Sequence, residues 1–279
     1  MIRQVNQIIT PNAVTDGAGV TIKRSIATRT LDYLDPFLLF DHFGSDNPDD
    51  YMAGFPMHPH RGIETVTYMQ RGLVRHEDSI GNAGVIGPGD VQWMTAGRGI
   101  MHEEMPQPGD TGLSGFQLWV NLPAAEKMTA PRYQEVLADE IPVVQLENGG
   151  IVRVITGSYE GRTGPVTEIA VAPVYLDVHL PAGSGFTIDT PIGHTVFAYA
   201  YDGGGNFANV TVNAVQPLLV VFEDGSSLQA EAGDQSFSFL LVMGRPIGEP
   251  IARYGPFVMN TREEIMQALR DLENGTFVS

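Results

Sequence analysis

Met57-His58-Pro59-His60-Arg61-Gly62-Ile63-Glu64 is the stretch on which the reading of this chain turns. In extended chain, side chains at i and i+2 share a face and stand roughly 6.5–7 Å apart at their Cα atoms. His58 and His60 therefore aim their imidazoles at a common point, close enough to share one metal ion at about 2.0–2.1 Å each. Pro59 stiffens the segment and cannot donate to a ladder, which places the strand at a sheet edge or a barrel mouth. Glu64 follows His60 by four residues, a spacing that makes it a ligand or an acceptor behind one; the second role is the expected one.

Around this stretch the sequence repeats one theme, short apolar runs bounded by turn residues. Ile63–Met69, Leu73–Glu77, Gly89–Met94, Phe116–Leu122 and Ile151–Ile155 read as strands. Ala170–Leu180, Thr195–Tyr201, Val210–Val212, Gln216–Phe222 and Gln235–Val242 continue the pattern. The 32 glycines and 19 prolines punctuate most gaps. Strands so spaced predict an all-β, antiparallel sandwich or barrel. One segment reads as helix: Thr261 and Glu264 fit a capping box, an apolar stripe follows at Ile265, Met266, Leu269 and Leu272, and Asn274-Gly275 supplies the stop.

Between Leu122 and Arg132 the strand pattern breaks into a polar, proline-flanked segment. The expected division is a first barrel over 1–125, a linker over 126–139 and a second barrel with the terminal helix over 140–279. The halves look related, because Glu64–Gly72 resembles His194–Gly203 and Gly89-Asp90 has an echo in Gly233-Asp234. A tandem repeat of one β-barrel unit follows.

A second pair of candidate ligands, His102 and Glu104, has the same i, i+2 spacing in Gly97-Arg98-Gly99-Ile100-Met101-His102-Glu103-Glu104-Met105-Pro106. If the two strands lie side by side, three histidines and one carboxylate converge and leave open positions for a substrate and dioxygen. That donor set suits Fe(II), Mn(II), Ni(II) or Cu(II) redox chemistry, and ligand type alone also admits zinc. Phe55, Met57, Met101 and Met105 flank the ligands and are candidate walls for a flat aromatic molecule. His42 reads as a loop residue and His76 as a hydrogen-bonded strand residue. Under the repeat, His58 and His60 fall opposite Ile188 and Thr190, and His102 and Glu104 opposite Pro246 and Gly248. None of these four is a good ligand, so one metal per chain is expected, in the first barrel.

Composition narrows the chemistry further. The sequence has no cysteine, which excludes disulfides, iron–sulfur clusters and thiol nucleophiles. Its 33 acidic against 16 basic residues give a formal charge of −17, which argues against direct contact with nucleic acid. No apolar stretch reaches the length of a membrane span, and Met1–Ile8 lacks the pattern of a signal peptide. A cytoplasmic protein with no membrane contact is the expectation.

The motifs together resemble those of the pirins, a bicupin family. The resemblance rests on Asp35–Asp41, Phe55–Tyr68, Pro88–Pro106, Gln117–Pro123 and Gly255–Thr261, which are long, ordered and spread over nearly the whole chain. It implies two stacked cupin (double-stranded β-helix, or jelly-roll) barrels with one mononuclear divalent metal, usually iron, in the N-terminal one. Carried over to this sequence, the family's ligands match His58, His60, His102 and Glu104. Standard cupins take their glutamate from the first motif, where Glu64 sits. Bacterial pirins further imply quercetin 2,3-dioxygenase chemistry, in which a flavonol reacts with O2 and carbon monoxide is released, with Glu104 as the base. Mammalian pirins imply an alternative, an iron-dependent regulatory protein that acts through protein partners.

Overall fold

Strand after strand takes an antiparallel partner in the computed structural model of the chain, which describes residues 1–208 and 210–278. The strands gather into two compact units. One comprises Asn12–Ala138 with residues from Ile247 onward, and the other Met1–Pro11 with Asp139–Pro246. No described helix is long and apolar enough to cross a membrane.

The unit that carries the histidine motifs has two main sheets and a two-stranded ribbon, Ala252–Tyr254 with Phe257–Met259. The larger orders its strands Arg132–Val136, Val91–Thr95, Ile63–Arg71, Leu113–Asn121, Phe37–Ser45, Val20–Ile26 and Asn12–Asp16. The smaller orders Phe55–His60, Ile100–Pro106, Val74–Asp78 and Ala83–Ile86. Burial explains the difference in their sequences. Ile63–Met69 is buried on both faces and reads as a continuous run. Along Ile100–Pro106, by contrast, Ile100, His102, Glu104 and Pro106 are buried and the residues between them are not. That alternation is the mark of a strand with one inward face. Pro59 lies on the strand at the end of the smaller sheet, where its missing N–H costs no ladder bond.

The other unit has a nine-stranded sheet, with the short hairpin Ser158–Tyr159/Arg162–Thr163 beside it, around an apolar core that includes Val154, Leu176, Val178, Ala198, Val220 and Leu241. Burying each valine or leucine among them contributes about 1.5–3 kcal/mol. Its two longest strands are Thr195–Phe207 and Ser227–Gly244. The sequence pattern stops the first at Tyr201, just before Gly203-Gly204-Gly205. Register shifts at 200–202 and 203–205 absorb the glycines as bulges instead, and the strand continues.

Three parts of the chain fall elsewhere than the expected division places them. Residues 126–139 are not a free linker: Arg132–Val136 pairs with Val91–Thr95, and Lys127 is buried. The three N–H donors of Lys127 meet Gly62 O, Asn121 Oδ1 and Val258 O at 2.8–2.9 Å. The terminal helix, Arg262–Glu273, belongs to the histidine-bearing unit, where Ile265 and Ala268 pack on Phe257, Met259 and Phe277. Its capping box of Thr261 and Glu264 is complete. The first strand, Val5–Ile9, pairs with Leu218–Phe222 in the other unit, where Arg3 is buried and donates to Thr190 Oγ1 and to the carbonyls of Pro191 and Glu223. Edge pairing and side-chain burial decide these memberships, and neither is visible as a composition break.

Candidate metal centre

Strands Phe55–His60 and Ile100–Pro106 pair antiparallel with His102 directly opposite His58. Parity then turns His58, His60 and His102 toward one another. One ring nitrogen from each lies within 4.8 Å of the others. His58 Nε2 stands 3.1 Å from His60 Nε2, and the His58 and His102 ring centroids are 4.3 Å apart.

The protonation pattern prepares these rings as ligands. His58 Nδ1 lies 2.9 Å from Pro56 O, so Nδ1 donates to that carbonyl and Nε2 is the nitrogen turned inward. His60 is only 2% exposed and His102 1%. Burial first, and the neighbouring imidazoles second, hold both well below the usual histidine pKa. They are neutral at pH 7, the form that binds a metal. Neither Nδ1 nor Nε2 of His102 has a hydrogen-bond partner. A buried imidazole with both nitrogens unsatisfied is costly unless a ligand takes one of them. Three imidazoles around one point therefore fit a divalent transition metal.

The two candidate carboxylates have different surroundings. Glu104 turns inward with His102, and its Oε1 accepts from Thr67 Oγ1 at 2.7 Å; it borders the same cavity as His58 and His60 but stands outside the three-histidine cluster. Glu103 turns the other way and pairs with Arg75. Glu64 is buried and accepts from Thr95 Oγ1 at 2.7 Å. It lies an odd number of residues from Thr67 on one strand, so it faces away from the side on which Thr67 meets Glu104. The four-residue spacing from His60 misleads because Gly62, at φ +80°, turns the chain between the two strands. A Cβ at Gly62 would stand 2.0 Å from Val258 O, so only glycine fits that turn.

A cavity of about 550 Å³ opens beside His58, His60 and Glu104. Its walls are mainly apolar, with Val20, Ile22, Leu39, Phe43, Phe55 and Trp119. Of the four apolar residues expected there, Phe55 lines it. Met101 and Met105 do not, because they alternate with His102 and Glu104 and face outward, and Met57 is 45% exposed. Sequence reasoning missed Trp119, whose ring meets His60 edge-on at 5.0 Å, and the polar lining residues Arg24, Asp41, Thr67 and Gln117. A glutamine inside the apolar run Phe116–Leu122 was the available signal.

Three of the four remaining histidines are engaged elsewhere. His76 lies under the stacked ring of Tyr133, with Nε2 2.8 Å from Glu135 Oε2. His42 sits in strand Phe37–Ser45 and not in a loop, with Nε2 3.3 Å from Ser114 Oγ. His179 contacts Asp177 and Ser238.

Family models match both halves of the chain. The model described as Pirin matches residues 19–120, and that described as Pirin C-terminal cupin domain matches 175–278. A pirin-like protein of Caulobacter vibrioides is 47% identical over 279 residues, 99% of each chain. Pirin of Homo sapiens is 43% identical over 264 residues, covering 93% of this chain and 89% of that one. Among solved structures, a quercetin 2,3-dioxygenase from Acinetobacter baumannii superposes with a TM-score of 0.89 at 35% identity, covering 100% of this chain and 99% of that one.

Proposed function

Since this chain belongs to the pirin family and carries its two cupin domains, we propose that it is a mononuclear-metal-dependent dioxygenase of the cytoplasm, cleaving a flavonol such as quercetin. The observation that carries the reading is the juxtaposition of three inward imidazoles with a cavity of about 550 Å³. A protein that only displays a metal to a partner needs no such cavity. The likeness to the Acinetobacter dioxygenase supports the same choice.

His58, His60, His102 and Glu104 would hold the ion, with Fe(II) as the proposed metal. Bound there, the ion supplies Lewis-acid activation of a substrate hydroxyl and a redox path to dioxygen. The chain's own residues do the rest. Phe55, Leu39 and Trp119 sandwich a flat ring system and keep water from it. Glu104 takes the proton of the flavonol 3-hydroxyl on a carboxylate oxygen and acts as base as well as ligand. His58, pinned by Pro56 O, keeps its Nε2 turned inward.

The test is reconstitution of metal-free protein with Fe(II) under anaerobic conditions, followed by quercetin and air. Loss of quercetin absorbance with release of carbon monoxide is the expected result. No turnover with Fe(II), Mn(II), Ni(II) or Cu(II), while His58→Ala still abolishes metal binding, overturns the enzymatic reading and leaves the metal site standing.

A further inference from the structure

A row of polar side chains crosses the inward face of the larger sheet. Arg24 stands opposite Asp41, Asp41 opposite Gln117, Gln117 opposite Thr67, and Thr67 opposite Gln92. The equivalent interior of the other unit is apolar. Polar groups in a barrel interior cost free energy unless each meets a partner, so their pairing is informative.

At the centre of the row one hydroxyl faces two acceptors. Thr67 Oγ1 lies 2.7 Å from Glu104 Oε1 and 2.6 Å from the amide atom assigned as Gln117 Oε1. A threonine hydroxyl has one hydrogen to give and lone pairs to receive with. With Glu104 ionised, as a ligand must be, that hydrogen goes to Glu104 Oε1. The atom of Gln117 that faces Thr67 must then be the NH2 group. Amide oxygen and nitrogen are distinguished by their hydrogen-bonding partners, and this network admits one orientation.

We propose that Gln117 Nε2–H, Thr67 Oγ1–H and Glu104 Oε1 form a directional hydrogen-bond relay that holds the Glu104 carboxylate in place to bind the metal. Thr67 is thus a positioning residue for Glu104, and Gln117 fixes the direction in which Thr67 donates. The relay occupies Oε1, and among the described residues no hydrogen bond reaches Oε2. Chains of such bonds reinforce one another in a low-dielectric interior. The inference rests on Glu104 being a ligand, as proposed above, and it is independent of whether quercetin is the substrate.

Titration of metal-free protein with Co(II), followed by affinity and by the d–d absorption bands of the bound ion, tests the relay. Thr67→Val keeps the shape of the side chain and removes the hydroxyl. It is expected to weaken Co(II) binding by about 10–100-fold and to shift the bands toward those of Glu104→Gln, whereas Thr67→Ser stays within about threefold of wild type. Gln117→Leu leaves Thr67 in place and is expected to weaken binding by a smaller factor, so the relay stays testable even if Thr67→Val fails to fold. Wild-type affinity in Thr67→Val, with Glu104→Gln impaired, overturns the relay and leaves Glu104 a ligand. Wild-type affinity in both overturns the ligand assignment and the relay together. A Gln117→Leu protein indistinguishable from wild type removes the first link and overturns the proposal as stated.

Discussion

A single backbone carbonyl sets the chemistry of the first histidine. By accepting from His58 Nδ1, Pro56 O decides which nitrogen of the ring is free, and burial keeps His60 and His102 neutral beside it. The carboxylates separate on the same scale. Glu104 looks into the cavity with His58 and His60, while Glu64 sits on the other side of its strand against Thr95. Replacing Glu104 with alanine should therefore lower the metal retained after gel filtration by tenfold or more (about 10–100-fold in affinity). The same replacement at Glu64 should leave metal content near that of wild type and lower thermal stability instead, since it empties a buried position. Metal analysis and a melting curve on the two variants check both statements; the reverse pattern would move the ligand role to Glu64.

Elements bring these residues together, and the turn at Arg61-Gly62 carries much of that work. Gly62 adopts φ +80° against Val258 O. Arg61 beside it donates to Arg98 O, forms a 2.6 Å ion pair with Asp271 on the terminal helix and lies over the ring of Phe277. The strand that carries His58 and His60 is thus tied to the C-terminal segment. Gly62→Ala should destabilise the protein by more than about 1 kcal/mol, because both the backbone conformation and the space are denied to a Cβ. It should also lower metal retention, read in the same denaturation and metal assays. Asp271→Asn should give a smaller loss of stability with the site still able to bind metal. Here the limits of sequence reading become physical. The i, i+2 pairs at 58/60 and 102/104 were legible because parity on one strand is a local property. The partner of each strand, the parity reset at Gly62 and the placement of the helix were not, since each depends on contacts between residues far apart in sequence. Thr67 and Gln117 stayed hidden for the same reason: each looks ordinary on its own strand and acquires meaning only when the two strands and Glu104 meet.

The acidic chain as a whole builds two β units and equips one of them. The core cluster of the other holds no candidate ligand, and the positions that the sequence match sets against the four proposed ligands are Ile188, Thr190, Pro246 and Gly248. Burial of neutral histidines also gives the whole molecule an acid limit. His42, pushed down to about 3 by burial, and His60 and His102, well below the usual value, stay unprotonated in the folded metal-free protein. The unfolded chain takes up those protons at about pH 6.5, so stability is lost as pH falls below that value, by up to about 1.4 kcal/mol per group and pH unit. His194, lowered first by burial, acts in the same sense, and His179, raised first by its hydrogen bond to Asp177, is one group against these four. Melting temperature of the metal-free protein should fall by several degrees between about pH 7 and pH 5, and a flat profile would show that these rings are not buried neutral. Metal stoichiometry tests the single three-histidine site most directly. After anaerobic loading with Fe(II) and removal of excess ion, elemental analysis should give one iron per chain in the wild type and none in His102→Ala. Two irons per chain, or one that survives the loss of His102, would contradict it.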